Sequence, residues 1–303
     1  MLNPYRKLLQ TSEAAKRSSK INSKTNSKTN SKTNLLIFII ITLSSGWLGV
    51  LADQLLTEQP DGYSAGTGIW LALPLLCAII FRIREKEWKS FGLALSIKQG
   101  WCGYIVAILT YPAITIITVF LAACFGYIDV SMISWTALIS AALASFTGNF
   151  IKNIFEEFAW RGYLTPRLLE CSLNDWLIYG ISGLVWGLWH TAYYMVFLGD
   201  EYFLTSSRVE TLLFGCFVTV TGSILFVEIY RITKSVWPCV ILHSVQNSIS
   251  TAFIVTNASA QYEGGAQVVF DPVTGILSII ILVGVGLLIR KKRIALDNPS
   301  IQH

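Results

Sequence analysis

The feature that most constrains this chain is a series of apolar runs, each long enough to cross a lipid bilayer. A membrane-spanning helix needs about 20 predominantly apolar residues. The runs occupy residues 35–56, 67–83, 101–125, 135–164, 176–198, 208–230, 235–256 and 274–290. Only 14% of the residues are charged, against about 25% in soluble globular proteins. The sequence therefore predicts an all-α, polytopic membrane protein with eight transmembrane helices.

Lysine and arginine residues fall in every second connection between the apolar runs. Eight of them precede the first run, and none lies in residues 57–66, 126–134, 199–207 or 257–273. The other connections are basic, and the last run is followed by RKKR at residues 290–293. Cytoplasmic loops carry the excess of lysine and arginine in membrane proteins. The pattern predicts both termini in the cytoplasm, and it accounts for the net charge of +5 without a nucleic-acid partner.

The two ends of the chain are polar. Residues 22–34 read NSKTNSKTNSKTN and present no apolar face, so we expect residues 1–34 to form a disordered, basic cytoplasmic tail. The transmembrane domain is predicted over residues 35–293, followed by a short C-terminal tail at residues 294–303. Six scattered cysteines lack the spacing of a disulfide framework or a zinc finger.

Two glutamates and an arginine interrupt the fourth apolar run, in the segment FIKNIFEEFAWRGYLT. Glu157 and Arg161 are four residues apart, in the order that favours an ion pair on one helix face. Glu156 is rotated by about 100° from Glu157, so its side chain can point into a cavity instead. We expect Glu157 and Arg161 to form a structural ion pair, and a catalytic role for this pair is the open alternative.

Two of the three histidines lie inside predicted spans. His190 follows Trp186 by four residues, and His243 precedes Asn247 by four, so each pair shares a helix face. At about 1.5 Å per residue, Glu156 and the two histidines fall in one layer in the cytoplasmic half of the bilayer. Ionisable residues within spans usually face a bundle interior or a water-filled cavity. The sequence therefore predicts a polar catalytic cavity at this depth.

The residue types in this layer fit peptide hydrolysis by an activated water molecule. A carboxylate can take a proton from water and return it to a leaving amine. A histidine and an amide donor opposite it can stabilise the oxyanion of the tetrahedral intermediate. Because the sequence has no evident serine- or cysteine-based triad, a water-activating acid is the more economical interpretation.

Three motifs in sequential order resemble the CPBP family, which includes type II CAAX prenyl endopeptidases and bacterial Abi-type proteins related to bacteriocin immunity. The motifs, within a core of about residues 135–256, are EExxxR (Glu156, Glu157, Arg161), aromatic-xxx-His (Trp186, His190) and HxxxN (His243, Asn247). The resemblance implies an eight-helix intramembrane protease fold. It implies Glu156 as the base that activates water, with His190 as its partner. It also implies His243 and Asn247 as the oxyanion hole.

One position departs from the family's usual pattern. The family has phenylalanine before the first histidine, and this chain has Trp186. Both side chains are large aromatics, so we expect altered packing with the chemistry retained.

The sequence is compatible with a metal-free site and with a zinc site. Two histidines and a glutamate are a legitimate set of zinc ligands with water in the fourth place, and Glu156, His190 and His243 form such a set. The chain has no HExxH motif, and the three side chains come from separate helices. We favour a metal-free site without a cofactor, and zinc is the alternative.

The overall function also has an alternative. The favoured interpretation is an intramembrane endopeptidase, surrounded by membrane lipid, that cleaves a membrane-associated peptide or lipidated protein. A prenylated CAAX-type protein is one candidate substrate. The alternative is a non-enzymatic membrane partner, such as a bacteriocin-immunity or scaffold protein. A transporter is the weaker hypothesis, because the buried polar groups do not repeat between two halves of the chain.

Overall fold

A computed structural model of the chain describes residues 31–56, 64–203 and 206–297. Within these ranges the regular structure is entirely helical. The main helices are α1 (Ser31–Leu55), α2 (Ala65–Glu85), α3 (Ile97–Cys124), α4 (Trp135–Ala159), α5 (Thr165–Glu170), α6 (Asp175–Trp189), α7 (Arg208–Thr233), α8 (Trp237–Val255), α9 (Gln267–Phe270) and α10 (Ile276–Asp297). Two π-helical turns, Trp160–Leu164 and Tyr193–Phe197, extend α4 and follow α6.

Five of these helices, α1, α2, α3, α7 and α8, are long and apolar enough to cross a membrane. The chain is therefore an all-helical integral membrane protein. The other three predicted spans coincide with α4, α6 and α10, which are shorter or more polar. Helix α6 has 15 residues, about 22 Å of helix, against a hydrocarbon core of about 30 Å. Helix α10 contains the RKKR cluster in its C-terminal third, and the count of eight spans stays a prediction.

Both ends of the helical region extend further than the sequence predicts. Helix α1 begins at Ser31, so the last four residues of the expected disordered tail are helical. Helix α10 continues to Asp297, within the expected C-terminal tail. The rest of the two predicted tails, residues 1–30 and 298–303, lies outside the described residues.

Helix α7 packs closely against α6 because glycines on α6 leave room for its backbone. A Cβ atom at Gly183 would lie 2.3 Å from the Cα of Val220, and one at Gly187 would lie 2.8 Å from the Cα of Cys216. The hydroxyl of Thr219 donates to the carbonyl of Gly183 at 2.9 Å. Small residues allow such close approach between membrane helices. This contact fixes the C-terminal end of α6, which carries Trp186 and His190, against α7.

Polar side chains join α4 to α8. Asn153 donates to the hydroxyl of Ser244, and Asn149 donates to the hydroxyl of Ser248, each at 3.3 Å. Hydrogen bonds between polar side chains contribute to the association of membrane helices. They set the rotation of α4 relative to α8, which carry the first and third sequence motifs.

The π-helical turn at the end of α4 is braced by α2. Arg82 is buried and donates to the carbonyl of Gly162 at 2.7 Å, within the turn. Its guanidinium also lies 5.2 Å from the centre of the Tyr163 ring. π-Helical turns within α-helices occur frequently at functional sites. Here the turn follows directly after the two glutamates of α4.

Candidate active site

Glu157 and Arg161 form an ion pair inside the helix bundle, as their spacing predicts. Both carboxylate oxygens of Glu157 lie 2.9 Å from one terminal nitrogen of Arg161. Both side chains are fully buried. The Arg161 guanidinium also lies 4.6 Å from the ring centre of Trp186 and 4.4 Å from that of Phe226. Two nitrogens of the Arg161 guanidinium lack a hydrogen bond to the described residues. The aromatic faces offset this loss, because a desolvated guanidinium is stabilised by such rings.

Glu157 has a second partner that the sequence analysis did not foresee. The Nδ1 atom of His243 lies 2.9 Å from Oε1 of Glu157. An ionised carboxylate only accepts hydrogen bonds, so the Nδ1 atom carries a proton. Glu157 therefore fixes the ring of His243 as well as pairing with Arg161. The packing of α8 on α4 brings His243 to the same carboxylate, a contact between helices that the four-residue spacing could not predict.

Glu156 is also buried, and it faces a different set of partners. Its Oε2 atom accepts a hydrogen bond from the indole nitrogen of Trp186 at 3.1 Å. Its Oε1 atom lies 3.3 Å from the ammonium of Lys152, one helical turn earlier on α4. The two adjacent glutamates thus have separate environments, as the 100° rotation between them predicts.

His190 lies at the C-terminal end of α6, where the helix gives way to a turn. Its Nδ1 atom is 2.9 Å from the backbone carbonyl of Trp186. Because a carbonyl only accepts, Nδ1 carries the proton and Nε2 keeps its lone pair. The rings of Trp189 and Tyr194 lie 4.7 Å and 5.7 Å from the imidazole. His190 is thus held by one hydrogen bond and by aromatic packing.

Asn247 belongs to a chain of polar side chains between α8 and α4. Its amide nitrogen donates to the carbonyl oxygen of Asn153 at 3.2 Å, and Asn153 donates in turn to Ser244. An amide nitrogen has two hydrogens, so one donor of Asn247 remains for another acceptor.

Trp186 connects the three sequence motifs. Its indole nitrogen donates to Glu156, its carbonyl oxygen accepts from His190, and its ring centre lies 5.2 Å from that of His243. The sequence analysis expected this residue to alter the packing beside the first histidine. The hydrogen bond to Glu156 shows that the indole nitrogen, which phenylalanine lacks, also contacts the site.

A cavity of about 240 Å³ adjoins these residues. Five of the site side chains line it: Lys152, Trp186, His190, His243 and Asn247. Residues of α7 between Thr211 and Phe226 also line the cavity, as do Val273 and Thr274. The depth of this cavity in the bilayer stays a prediction.

The described residues do not form a metal site. No three His, Cys, Asp or Glu side chains come together at metal-binding spacing within the described ranges. Glu156 contacts Trp186 and Lys152. The arrangement does not fit the zinc alternative of Glu156, His190 and His243, and we derive no step through a metal.

Lys152 and Asn153 contribute to the site and were not singled out from the sequence. Lys152 precedes Glu156 by four residues, so the spacing rule that identified Glu157 and Arg161 also points to this pair. Asn153 carried no comparable signal, because its partners Ser244 and Asn247 lie on another helix.

Residues 138–249 match the family model of the type II CAAX prenyl endopeptidases, Rce1-like. The matched segment is a little over a third of the 303 residues, and it contains all three motifs. The match supports membership of the CPBP family. No curated protein sequence matches the chain significantly. The family is one of membrane-embedded proteases, so this CPBP protein has a lipid environment, and the match supports hydrolysis of a peptide or protein substrate.

Proposed function

We propose that this CPBP protein is an intramembrane endopeptidase that hydrolyses a peptide bond with water activated by Glu156. The observation that carries the proposal is the convergence of the three motifs around Trp186, beside one cavity. A mere ion pair within a helix would explain Glu157 and Arg161. It would not explain a second buried glutamate, in contact with Trp186 and Lys152, beside a cavity that both histidines line.

In the proposed first step, the Glu156 carboxylate takes a proton from a water molecule, whose oxygen attacks the carbonyl carbon of the peptide bond. The Nε2 atom of His190 accepts the second hydrogen bond of this water and orients it, because its Nδ1 atom is already the donor to Trp186. Positioned general bases contribute about 10²- to 10⁴-fold in rate. Glu156 then returns the proton to the leaving nitrogen as the C–N bond breaks, which yields a carboxylic acid and an amine; the proton of the acid then passes to the amine.

In the same proposal, His243 and Asn247 stabilise the oxyanion of the tetrahedral intermediate. With Nδ1 donating to Glu157, His243 can donate from Nε2 only when the ring carries both protons. Glu157, whose Oε1 atom lies 2.9 Å from Nδ1, holds the ring in place. Glu157 is thus a positioning residue that acts through His243. The second amide hydrogen of Asn247 is the other donor of the oxyanion hole.

We further propose the eight-span topology, with α4, α6 and α10 completing the bundle and both termini in the cytoplasm. The substrate in this proposal is a membrane-associated peptide or lipidated protein, with a prenylated CAAX-type protein as the candidate that the family match favours. A lipid-anchored chain is already held at the membrane, which reduces the cost of bringing its cleavable bond to the buried site.

Replacement of Glu156 by glutamine tests the proposal. Glutamine keeps the shape and the hydrogen bond from Trp186 but cannot accept the proton of water, so we expect the cleavage rate to fall by about 10²-fold or more. The measurement is cleavage of a prenylated CAAX-type peptide by purified protein in lipid vesicles.

The matched control is Glu263→Gln, which changes an exposed glutamate in the segment between α8 and α9. This variant should cleave at the wild-type rate. If Glu156→Gln retains the wild-type rate while remaining folded, Glu156 is not the base and the proposed mechanism is wrong.

A further inference from the structure

The ends of α6, α7 and α10 meet in a group of charged side chains that lies outside the proposed catalytic site. Asp175 is the first residue of α6, and its two carboxylate oxygens contact three arginines. Arg231 of α7 donates to Oδ1 at 2.6 Å, whereas Arg290 and Arg293 of α10 donate to Oδ2 at 2.9 Å and 2.6 Å. Three guanidinium groups therefore converge on a single carboxylate.

The basic side chains at this junction outnumber the acidic ones. Besides Asp175, the acidic side chains are Glu228 and Asp297. Glu228 is fully buried and accepts hydrogen bonds from Tyr179 at 2.5 Å and from Arg293 at 2.6 Å, and Asp297 lies 3.3 Å from Arg293. Against these three acids, the basic cluster consists of six side chains at the ends of α7 and α10: Arg231, Lys234, Arg290, Lys291, Lys292 and Arg293.

Two arginines of the basic cluster keep donors that no described residue uses. Arg290 bonds to Asp175 through Nε alone, and Arg231 bonds to acidic side chains through Nη1 alone. A guanidinium has five N–H donors, so both terminal nitrogens of Arg290 remain, as do Nε and Nη2 of Arg231. The two side chains are 28% and 15% exposed, and none of these four nitrogens is among the buried unpaired atoms. The remaining donors are therefore open to a ligand.

The junction has the side chains of a membrane boundary. Trp176, beside Asp175 on α6, is exposed, and the Arg290 guanidinium lies 5.5 Å from the centre of its ring. Tryptophan is enriched at the level of the lipid head groups. Further along the same two helices, large apolar side chains face outwards, among them Leu184 on α6 and Ile280 on α10. A phospholipid beside these helices has guanidinium donors for its head group and apolar side chains for its acyl chains.

We infer that the basic cluster binds the phosphate group of an anionic phospholipid, with Arg231 and Arg290 as the main donors. Guanidinium groups bind phosphate oxygens through paired N–H donors, and basic pockets between membrane helices bind anionic head groups. A lipid fits better than free phosphate because the donors lie beside Trp176, at one end of an apolar, outward-facing surface.

The bound lipid would hold the end of α10 against α6 and α7. On the predicted topology the basic cluster faces the cytoplasmic leaflet, whose surface carries negative charge. This inference goes beyond the proposed peptide hydrolysis and does not depend on it, so its test needs no substrate.

The test follows thermal unfolding of the purified full-length protein in vesicles of phosphatidylcholine alone and of phosphatidylcholine with phosphatidylglycerol. A ligand that binds only the folded protein raises Tm, so we expect the wild-type Tm to be about 4 °C higher in the anionic vesicles. We expect Lys234→Gln/Arg290→Gln to lose most of this shift. The matched control is Lys89→Gln/Lys98→Gln, which removes the same charge at exposed positions outside the junction and should keep the shift.

The shift is taken within each variant, so a lower Tm caused by loss of the Arg290–Asp175 contact does not affect the comparison. If Lys234→Gln/Arg290→Gln does not fold, Lys234→Gln/Lys291→Gln replaces it, because neither lysine forms an ion pair with the described residues. An equal wild-type Tm in both kinds of vesicle would overturn the inference. Equal loss of the shift in the cluster variant and in the control would show diffuse attraction of the whole surface, and would overturn it too.

Two further measurements identify the ligand. Inorganic phosphate is added to wild-type protein in phosphatidylcholine vesicles, and a rise in Tm equal to that with phosphatidylglycerol would refute the lipid assignment. Native mass spectrometry then detects phosphatidylglycerol that stays bound after extraction into detergent. We expect retention by the wild-type protein and by the control, and loss of retention in Lys234→Gln/Arg290→Gln. The same retention by all three proteins would mean that the lipid binds elsewhere.

Discussion

At the scale of single residues, the site depends on which partner each buried polar group has. Glu156 and Glu157 are neighbours in sequence, yet one contacts Trp186 and Lys152 and the other contacts Arg161 and His243. Adjacent carboxylates on a helix point in directions about 100° apart. This divergence places one glutamate against two residues that line the cavity, Trp186 and Lys152, while the other pairs with Arg161 and His243.

Trp186→Phe tests whether the indole nitrogen positions Glu156. Phenylalanine keeps an aromatic ring beside His243 and Arg161 but removes the donor to Glu156. Loss of one hydrogen bond of about 1–1.5 kcal/mol corresponds to about a tenfold change in rate. We expect kcat to fall about tenfold with KM nearly unchanged, as measured by steady-state cleavage of the peptide. If kcat is unchanged, or if the variant changes KM alone, Trp186 acts through packing only.

At the scale of helices, a cluster of charges joins α6, α7 and α10. Glu228 on α7 is fully buried and accepts hydrogen bonds from Tyr179 at 2.5 Å and from Arg293 at 2.6 Å. Arg293 also reaches Asp175 at the start of α6 at 2.6 Å, and Arg231 pairs with the same aspartate. The cluster fixes the end of α10 against the helix pair that carries Trp186 and His190.

Arg293→Met should destabilise the protein because it leaves Glu228 buried with one strong partner fewer. Removal of one member of a buried ion pair costs about 3–5 kcal/mol, so we expect a fall in Tm of several degrees in detergent. Lys292→Met, at the exposed neighbouring position on α10, is the matched control and should leave Tm unchanged. Equal Tm values for the two variants would mean that the cluster does not stabilise the helix contact.

At the scale of the whole molecule, large apolar side chains face outwards along the long helices, as at Leu76, Ile116, Phe120 and Leu213. Exposed apolar surface of this extent is unfavourable in water and is normal against lipid. The polar groups are concentrated in the interior and at the ends of the helices. This inside-out distribution agrees with the family match and with the five helices that are long and apolar enough to span.

Labelling of cysteines in sealed vesicles tests the predicted topology. Cys124 is exposed at the end of α3, beside a loop without lysine or arginine, so a membrane-impermeant maleimide should label it from the non-cytoplasmic side. In a Cys124→Ser background, Lys292→Cys should be labelled from the cytoplasmic side alone. Labelling of both positions from the same side would contradict the predicted odd number of crossings between them.

The features that the sequence determined by itself are those set by local geometry. Hydropathy located the helices, because lipid solvation acts on each apolar run separately. The four-residue spacing gave the Glu157–Arg161 pair, because neighbours on one helix need no tertiary information. The three motifs pointed to the CPBP family, and the family match confirmed it. The ends of α1 and α10 were missed because helix boundaries depend on caps and contacts more than on hydropathy.

The tertiary structure alone decided which groups meet across helices. The Glu157–His243 contact joins residues 86 positions apart, and the Glu156–Trp186 contact joins residues 30 apart. Both depend on how far each helix is rotated about its axis, which the Asn153–Ser244 bond and the glycines of α6 set through packing. The extent of the cavity along α7 has the same origin. Helix rotation and packing are properties of the assembled bundle, so no single stretch of sequence specifies them.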